Sequence, residues 1–425
     1  MGDNGVQVLV LGGGFGGLTF CKRFSTAGAY VTLIDRTNHH LFQPLLYQVA
    51  TAGLSLPDIA QPIRSILRDK PNLRVLLAEV KDIDLQNRNV VTSAQTFHYD
   101  YLLIALGSVT SYFNHPEWEA CAPGLKTLED ARRIRGKLLM AFEKAESAID
   151  PDEQTRLMTI VVIGGGPTGV ELAGTCAELA RHVLKRDFDH IHPERARVIL
   201  IEASPVVLSH LPRDLSESAQ RQLEGLGVQV RTSTRVKHIT PGCIELDTGE
   251  IILAETILWA AGVRAHPITA ALERFGIPLD RGGRIKVNPD LSLPGFPEAF
   301  AVGDIVSLLR EDGTPVPGVS PAAMQMGRYV AQTIEDELAL GRAHARRQPF
   351  SYFDKGTMAT IGRSRAVALI QGVRLHGFIA WMAWLFVHLL FLVGLRNKLA
   401  VLLNWMYAYF AYRPGARIVT GDVDK

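Results

Sequence analysis

The sequence predicts an α/β protein with two similar β-α-β domains and a helical C-terminal region. Two observations predict the domains: a glycine-rich turn follows a short apolar strand twice, and each turn leads to a second strand that ends in an acid. The first turn lies within Val8–Leu18 and the second within Thr159–Val170. The third observation is a strongly apolar stretch near the C-terminus. With 425 residues, the chain is long enough for two or three domains, each with its own core.

Both turns carry the spacing G-x-G-x-x-G. Because glycine has no Cβ, the chain can turn tightly into a helix, and a pyrophosphate can approach the free N–H groups at the start of that helix. A single motif of this kind is a weak signal, whereas two in the same strand–turn–helix context are a strong one. The glycines are Gly12, Gly14 and Gly17 in the first turn, and Gly164, Gly166 and Gly169 in the second.

An acidic residue closes the strand that follows each turn. Asp35 ends the first of these strands and lies 23 positions after Gly12, near the offset of about 20 residues typical of a ribose-binding acid. Glu202 ends the corresponding strand of the second unit. A solvated strand end is the alternative reading of Asp35. The pattern therefore predicts two Rossmann-like dinucleotide-binding domains, and two dinucleotides in one chain imply electron transfer between them.

The segments between these motifs give further expectations. Residues 72–80 and 89–101 are expected as strands, Leu128–Ile149 as a helix, and 351–371 as a hairpin or small sheet. Residues 38–54 mix apolar, aromatic and polar side chains without clear periodicity, which indicates a loop that touches a ring-shaped ligand.

Three further apolar stretches end in small residues or in Gly-Asp. The small residues at the end of the first stretch, and of the second as its counterpart, let the chain pass close to a cofactor. These stretches are Tyr99–Ser108, Ala254–Val263 and Pro294–Asp304. A helix is expected next, with Ser320 as its N-cap and proline at its first position.

Composition excludes several classes of function. The net charge of +2 gives no general attraction to nucleic acid. The four cysteines lack any C-x-x-C spacing, which is typical of a reducing compartment. No metal site is predicted, because His39 and His40 are adjacent and His190 and His192 lie in a solvated loop. The N-terminus shows no cleaved signal.

The C-terminal stretch indicates membrane association. Phe378–Leu395 contains 18 residues with His388 as its only ionisable group, Arg396–Lys398 interrupts, and Leu399–Tyr412 is again apolar. Two helices lying in one leaflet fit this pattern, with basic side chains towards the head groups. One spanning helix over 378–395 and a buried core hairpin are the alternatives. The basic residues are Arg396, Lys398, Arg413 and Arg417.

The order of these motifs resembles the two-dinucleotide-binding-domain flavoproteins, and among them the type II NADH dehydrogenases. The resemblance covers essentially the whole chain and rests on GGGFGG, NHHLFQPLLYQVAT, GGGPTGVELAG, ILWAAGV and FAVGD. It implies FAD-dependent oxidation of NADH, with two-electron transfer to a membrane quinone and no proton pumping. It also implies a discontinuous FAD domain at 1–115 and 285–345 with the NADH domain, 116–284, inserted in it. Residues 346–425 form the C-terminal region, with membrane-associating helices at 378–412.

The resemblance also assigns the site residues. Those expected to hold FAD are Gly12, Gly14, Phe15, Gly17, Asp35, Ala105, Gly107, Gly303 and Asp304. Those expected to hold NADH are Gly164, Gly166, Thr168, Gly169, Glu202, Ala261 and Gly262. The quinone end is assigned to the 39–48 loop, with Gln43 and Pro44, and to Met324 and Gln325. Relatives carry a lysine near the quinone end, and either Arg374 or His376 could correspond to that lysine in this sequence. The first glutamine of the family pattern A-Q-x-A-x-Q is replaced by Pro321.

Two acids bear on the NADH domain. Glu202 favours NADH over NADPH, because a carboxylate binds the ribose hydroxyls and repels a 2′-phosphate. Glu171 and Gln325 are the candidate catalytic residues. For Glu171, a charge–dipole role in the first turn of its helix and a role in positioning the nicotinamide are both retained.

Alternative functions are a membrane-docked redox sensor, a sulfide:quinone oxidoreductase and a ferredoxin reductase. The cysteine pair that sulfide chemistry needs is missing, because no cysteine follows Cys243. The expected partners are a quinone and the bilayer surface, with a homodimer left open and no nucleic acid. The expected location is the cytoplasmic face of the cell membrane, as a peripheral or monotopic protein.

Overall fold

The computed structural model describes residues 5–342, 344–411 and 416–419. These residues form two compact units. The first comprises the described parts of Met1–Leu41, Gln61–Val109 and Val263–Asp354, and the second those of Phe42–Ala60, Thr110–Gly262 and Lys355–Lys425. The domain boundaries expected from the sequence stay predictions.

The strands follow one another along both units. They are β1 (Val6–Leu11), β2 (Ala29–Asp35), β3 (His39–Leu41), β4 (Ala60–Pro62), β5 (Leu73–Leu77), β6 (Val80–Asp84), β7 (Asn89–Thr92), β8 (Thr96–His98), β9 (Tyr101–Ile104), β10 (Ser108–Thr110), β11 (Thr159–Ile163), β12 (Arg197–Ile201), β13 (Val228–Arg231), β14 (Val236–Thr240), β15 (Cys243–Leu246), β16 (Ile251–Leu253), β17 (Thr256–Trp259), β18 (Val263–Ala265), β19 (Ile285–Lys286), β20 (Ser292–Leu293), β21 (Phe296–Ala301), β22 (Val306–Ser307), β23 (Thr357–Gly362), β24 (Arg365–Ile370) and β25 (Val373–His376).

Helices alternate with these strands. They are α1 (Phe15–Arg23), α2 (Leu46–Ala50), α3 (Leu56–Ile59), α4 (Ile63–Ile66), α5 (Trp118–Cys121), α6 (Leu128–Ser147), α7 (Pro151–Leu157), α8 (Pro167–Glu178), α9 (Arg213–Gly225), α10 (Ser320–Leu340), α11 (Gly377–Phe391) and α12 (Leu395–Ala411). Short 3-10 turns occur at Gln43–Leu45, Leu184–Arg186, Pro193–Arg195, Pro267–Phe275 and Gly303–Ile305, and one π turn at Leu179–Val183.

A six-stranded sheet organises the first unit, in the order β20-β21-β9-β1-β2-β5. All neighbours are parallel except the β20–β21 pair. The central strands are rich in Val, Leu and Ile because both faces of a parallel sheet are covered, and α1 and α10 pack against each other beside this core. In register, Leu11 and Ala301 both pair with Ile104, so β1, β9 and β21 end at one edge.

The second unit repeats this plan with a parallel sheet in the order β13-β12-β11-β17. Two antiparallel three-stranded sheets, β14-β15-β16 and β23-β24-β25, belong to the same unit. Helix α8 follows β11 in the chain and packs against β23, while α11 packs against β24. The predicted fold class is confirmed in this α/β arrangement, as are the helix after residue 127 and the hairpin within 351–371, formed by β23 and β24, to which β25 adds a third strand.

Three local expectations are wrong. Residues 38–54 form β3, a 3-10 turn and α2 rather than a loop, because Leu45, Leu46 and Val49 are buried and fix the backbone. The stretch 89–101 is divided among β7, β8 and β9. Ser320 is the first residue of α10 rather than its N-cap, a position that Val319 takes without a side-chain hydrogen bond.

The apolar C-terminal stretch forms two helices, but the break lies earlier than expected. Helix α11 ends at Phe391, and α12 begins at Leu395 and continues through Arg396–Lys398. Asn397 stabilises this start, since its side-chain amide donates to the carbonyl oxygens of Pro57 and Ala60. The alternative of one helix over 378–395 is therefore wrong, and no helix of the described residues combines the length and apolar character needed to cross a membrane. Tyr412 and Arg413 lie outside the described residues.

A buried ion-pair network fixes α10 in the first unit. Glu337 is 4% exposed and accepts hydrogen bonds from Arg347 Nε at 2.5 Å and from the Tyr101 hydroxyl at 2.8 Å. Arg347 also donates to Asp290 at 2.9 Å. Since these groups are withdrawn from water, removing one of them leaves an uncompensated charge.

We expect Glu337→Ala to lower the free energy of unfolding of the first unit by about 3 kcal/mol, because Arg347 loses its buried partner. Urea and thermal unfolding followed by circular dichroism measure this change. The control is Arg213→Gln, whose side chain is 85% exposed beside Glu217 and should change stability by less than about 0.5 kcal/mol. Equal stability of the two variants would contradict the prediction.

Candidate functional site

The first glycine loop joins β1 to α1. Gly12 adopts a left-handed φ of +101°, and a Cβ there would overlap the carbonyl oxygen of Ala105. Gly17 likewise lies too close to the carbonyl of Gly12 to carry a side chain. Gly14, by contrast, is exposed and has no atom within 4 Å of the position that its Cβ would take. Two of the glycines therefore permit the turn, and the third leaves open space at the start of α1.

Asp35 holds this loop in place from the end of β2. One carboxylate oxygen accepts the N–H of Gly13 at 2.6 Å, and the other accepts the N–H and hydroxyl of Thr37 at 2.6 and 2.7 Å. The oxygen that accepts from Gly13 retains a lone pair, so a ribose hydroxyl could still donate to it. The bracing role is a finding, and the ribose role stays a prediction.

The other predicted FAD residues gather at the same edge of the sheet. Ala105 follows β9 directly, and its N–H donates to Leu11 at 2.8 Å. Gly303 follows β21 in a left-handed conformation, with φ of +80°. Asp304 accepts a hydrogen bond of 2.8 Å from the Ser108 hydroxyl, next to Gly107 with its φ of +69°. The chain ends that line this edge are thus small or glycine residues beside one carboxylate.

The second glycine loop, in the second unit, has the same geometry. Gly164 has a φ of +109°, and a Cβ would lie 2.6 Å from the backbone of Ala260. Gly169 has no room for a side chain against Gly164, whereas Gly166 faces open space. Thr168 is exposed in the first turn of α8.

Glu202 braces this loop as Asp35 braces the first one. Its carboxylate accepts the N–H of Gly165 at 2.5 Å and the N–H of Ser204 at 2.6 Å. On the other side of β11, Ala261 and Gly262 follow the end of β17. Both loops thus present an unobstructed helix N-terminus flanked by an acid and small residues, which fits the pyrophosphate and ribose of a dinucleotide.

Glu171 lies in the second turn of α8, not in the first, because the helix begins at Pro167 rather than at Gly169. The charge–dipole interpretation is weakened, since that effect falls off within the first turn. Burial raises the pKa of the Glu171 carboxyl well above its usual value, although a hydrogen bond from the Thr360 backbone opposes the shift. The carboxyl group two residues after the second glycine motif is therefore shifted towards its protonated form.

The predicted quinone residues divide between the units. Gln43 and Pro44 lie in the 3-10 turn of the second unit, where Gln43 Nε2 donates to the Lys126 carbonyl at 3.3 Å. Met324 and Gln325 are half-buried in α10 of the first unit. The Gln325 amide donates to the Phe353 carbonyl and accepts its N–H, both at 2.9 Å, so one amide N–H remains for another partner.

Of the two candidates for the family lysine, Arg374 pairs with Asp214 of α9 at 3.1 Å. His376 is exposed at the N-cap of α11. The contacts of Arg374 and His376 do not favour one of them over the other as the counterpart of the family lysine.

The sequence assigned His40 only to the 39–48 segment of the quinone end and did not predict that it supports the first glycine loop. Its buried ring donates from Nδ1 to the Gly13 carbonyl at 3.0 Å and packs edge-on against Phe15, with centroids 5.0 Å apart. Burial lowers the pKa of His40 to about 4, so the ring is neutral at pH 7. The His-His pair was visible in the sequence, but its contact with Gly13 depends on the fold.

Glu178 was missed as well. It follows Glu171 by seven positions on α8 and accepts the Arg363 N–H at 2.5 Å. Burial raises the pKa of Glu178 to about 7, against the opposing effects of the Arg363 backbone hydrogen bond and of the Arg363 and Arg365 charges. The seven-residue spacing is a signal that sequence analysis could have used, because it places both acids on one helix face.

A chain of hydrogen bonds joins α2 to α12 in the second unit. Gln48 Nε2 donates to the Tyr47 hydroxyl at 2.9 Å, and Gln48 Oε1 accepts from Trp405 Nε1 at 2.8 Å. The Tyr47 ring also packs near Trp384, with centroids 6.4 Å apart. The segment expected to form the quinone end thus contacts the apolar C-terminal helices directly.

Two family models match the chain. Residues 6–327 match the pyridine nucleotide-disulphide oxidoreductases, and residues 355–414 match the NDH2 C-terminal domain. The fold, the two glycine loops and the first of these matches define the class of protein, an oxidoreductase of the pyridine nucleotide-disulphide type.

Relatives narrow the class. The chain is 44% identical to the type II NADH:quinone oxidoreductase Ndh of Mycobacterium tuberculosis over 97% of its own length and 90% of that protein. It is 30% identical to the internal alternative NAD(P)H-ubiquinone oxidoreductase A1 of Arabidopsis thaliana, over 97% of its own length and 86% of that protein. The chain belongs to the type II NADH:quinone oxidoreductase family. The prediction of FAD and NADH as cofactors agrees with this membership.

Solved structures share the fold. NDH2 from Plasmodium falciparum in complex with NADH superposes with a TM-score of 0.88 at 20% identity, covering 98% of this chain and 100% of that one. The sulfide:quinone oxidoreductase of Aquifex aeolicus gives 0.74 at 18% identity, with coverage of 96% and 95%. At such identities these similarities establish the architecture alone.

The open position at Gly14 gives a direct test of the first loop. We expect Gly14→Ala to fold with an unchanged melting temperature, because its methyl group meets no protein atom, but to purify with much less FAD. Gly12→Ala should instead destabilise the protein, since it adds both an overlap and an unfavourable φ. Thermal denaturation and the ratio of flavin to protein absorbance measure both effects. A Gly14→Ala protein with full FAD content would refute the prediction.

The pKa of Glu178 predicts a pH dependence of stability. Between about pH 4.5 and 7 the unfolded chain loses this proton while the folded protein keeps it, so the free energy of unfolding falls as pH rises. Two and a half pKa units correspond to about 3 kcal/mol over that window.

Glu178→Gln, which mimics the neutral acid, should remove this component. Urea unfolding at pH 5 and pH 8 measures the difference for both proteins, with Glu217→Gln at an exposed position as the control. The same pH slope in wild type and Glu178→Gln would contradict the assignment.

Proposed function

We propose that this enzyme uses FAD to oxidise NADH and passes two electrons to a membrane quinone without pumping protons. The observation that carries the proposal is the pair of matched glycine loops, each with an open helix N-terminus and an acid that braces it. Membership of the type II NADH:quinone oxidoreductase family supports the assignment of the two substrates.

The first unit supplies the FAD-binding residues. The N–H groups at the start of α1, opened by Gly14, would face the pyrophosphate, and Asp35 would accept from a ribose hydroxyl. The small residues at the ends of β9 and β21 permit close approach of the cofactor, beside Asp304. When bound, FAD supplies the redox centre between a two-electron donor and the quinone.

The second unit supplies the NADH-binding residues. The turn is formed by Gly164, Gly166, Thr168 and Gly169. Glu202 would accept hydrogen bonds from the hydroxyls of the adenosine ribose. Ala261 and Gly262 lie on the opposite side of β11, where the nicotinamide half would extend. Burial raises the pKa of the Glu171 carboxyl and so favours its protonated form, which can donate a hydrogen bond, and we propose that this residue positions the nicotinamide.

For the quinone we retain the sequence-based residues as proposals. Gln43 and Pro44 belong to a segment that is followed at once by α2, which contacts the C-terminal helices. Gln325 keeps one amide N–H that could donate to a quinone oxygen, and Met324 offers apolar contact next to it. We therefore propose these four residues as the quinone end of the reaction.

The C-terminal helices expose an apolar face that suits a lipid surface. The apolar residues on this face are 38–73% exposed. Apolar side chains exposed together in this way mark a surface for membrane or partner contact. They are Phe378, Ile379, Met382, Phe386, Leu390, Leu395, Leu399, Leu402, Leu403, Met406 and Tyr407. Trp384 and Val401 are buried on the opposite side. We propose that the face lies in the bilayer surface on the cytoplasmic side, where NADH is supplied.

Sulfide chemistry is disfavoured at two of the four cysteines by their burial. Cys21 and Cys176 are fully buried, and burial raises the pKa of the Cys176 thiol to about 12. A thiol with so high a pKa makes a poor nucleophile at neutral pH. The structural similarity to a sulfide:quinone oxidoreductase therefore reflects the shared fold.

The alternative function is a redox sensor, and a turnover assay distinguishes it from the proposed enzyme. Full-length protein on liposomes should oxidise NADH continuously only when a quinone is present, measured as loss of absorbance at 340 nm. A sensor would consume about one equivalent of NADH and stop. A pH-sensitive dye inside the vesicles should show no proton uptake during turnover, and uptake that follows turnover would refute the absence of pumping.

Glu202 gives a test of the preference for NADH. We expect Glu202→Gln to raise KM for NADH about tenfold, because a charged hydrogen bond to the ribose is lost, and to narrow the preference over NADPH. Steady-state kinetics with both nucleotides measure these effects, and Glu217→Gln serves as the exposed control. An unchanged ratio of kcat/KM values for NADH and NADPH would count against Glu202 as the discriminating residue.

A further inference from the structure

Phe113 is an exposed aromatic residue that the proposed function leaves without a role. Its side chain is 59% exposed, yet its backbone takes a left-handed φ of +48°. The next residue, Asn114, is also left-handed, with φ of +72°. Left-handed conformations are unfavourable for bulky residues, and such strain concentrates at functional sites.

The segment before Phe113 is tied firmly to the end of β17. The N–H of Ser111 donates to the Gly262 carbonyl at 3.0 Å, and the Ser111 carbonyl accepts from Trp259 Nε1 at 2.8 Å. The Phe113 ring packs against Trp259 with centroids 6.1 Å apart and an interplanar angle of 60°. The ring is therefore presented by an anchored backbone and is not the tip of a free loop.

Gly262 makes room for this ring. A Cβ on Gly262 would lie 2.8 Å from Cζ of Phe113, so the aromatic edge rests directly on the glycine. Gly262 follows β17, which neighbours β11 on the side opposite to β12. The Phe113 ring thus stands at the carboxyl end of the sheet, on the β17 side.

The direction of the dinucleotide follows from this sheet order. Glu202 at the end of β12 receives the adenosine ribose, and the pyrophosphate crosses the N-terminus of α8. The nicotinamide half must then extend over the end of β17, towards Gly262. A planar aromatic ring at that position offers an apolar and π contact to a nicotinamide ring.

We propose that Phe113 positions the nicotinamide half of the dinucleotide by direct ring contact, and so contributes to the specificity of this site. This inference rests on the proposed NADH site. The strained backbone holds the ring at the end of β17, and Gly262 provides the space that the ring needs.

Binding of two ligands to the oxidised full-length protein tests the proposal. NAD⁺ contains the nicotinamide ring, whereas ADP-ribose lacks only that ring. We expect Phe113→Ala to raise the Kd for NAD⁺ about tenfold and to change the Kd for ADP-ribose less than twofold, as measured by titration calorimetry. In turnover, KM for NADH should rise to a similar extent while KM for the quinone stays unchanged.

Three further variants separate the ring from the fold. Phe113→Tyr keeps an aromatic ring and should bind NAD⁺ within twofold of wild type. Phe113→Gly should melt no lower than wild type, because glycine tolerates the left-handed φ, but should bind NAD⁺ as weakly as Phe113→Ala. Ile251→Ala, at a position 63% exposed in the same unit, should leave both Kd values unchanged.

The outcomes are distinguishable. Equal losses for NAD⁺ and ADP-ribose, or no loss for either, would overturn the role of Phe113 while leaving the NADH site intact. Wild-type protein that binds neither ligand would instead overturn the proposed function itself.

Discussion

The structure depends on how the main-chain N–H groups of two glycine turns are held. A turn that opens a helix towards a ligand leaves several N–H groups without internal partners. In both units a carboxylate at the end of the next strand accepts one of these N–H groups. Asp35 accepts the N–H of Gly13, and Glu202 accepts the N–H of Gly165. Each carboxylate also accepts the N–H of the residue two positions after itself. These hydrogen bonds hold each loop within the protein itself, and preorganisation of this kind lowers the entropic cost of binding a ligand.

Parallel pairing then decides where the chemistry gathers. Because the central strands of the two main sheets run in the same direction, their carboxyl ends meet at one edge, and the residues that follow them become neighbours. In the first unit this joins Ala105 to Gly12, and in the second it joins Ala260 to Gly164. A larger side chain at Gly12 or Gly164 would push the strand ends apart, which explains why small residues occur there in both repeats.

Burial in the second unit changes the chemistry of ordinary acids. Helix α8 carries Glu171 and Glu178 on the face that β23 covers, and burial raises the pKa of both carboxyl groups. The charge on Glu171 in turn adds to the raised pKa of Tyr47, for which burial is the main cause. A helix that begins at a nucleotide loop therefore carries two acids with raised pKa values, next to the segment that contacts the C-terminal helices.

Local pattern was enough to predict the two β-α-β units, their glycines and closing acids, and the apolar C-terminal helices, because these depend on spacing along the chain. The sequence could not show that 38–54 contains a strand, a 3-10 turn and α2, that α12 begins at Leu395, or that Glu171 lies in the second turn of α8. Burial and tertiary hydrogen bonds decide where such elements begin and end. The contacts of His40 with Gly13, Glu178 with Arg363 and Phe113 with Gly262 join residues far apart in sequence. Only the tertiary structure brings such pairs together, because each contact needs two separate elements to pack against each other.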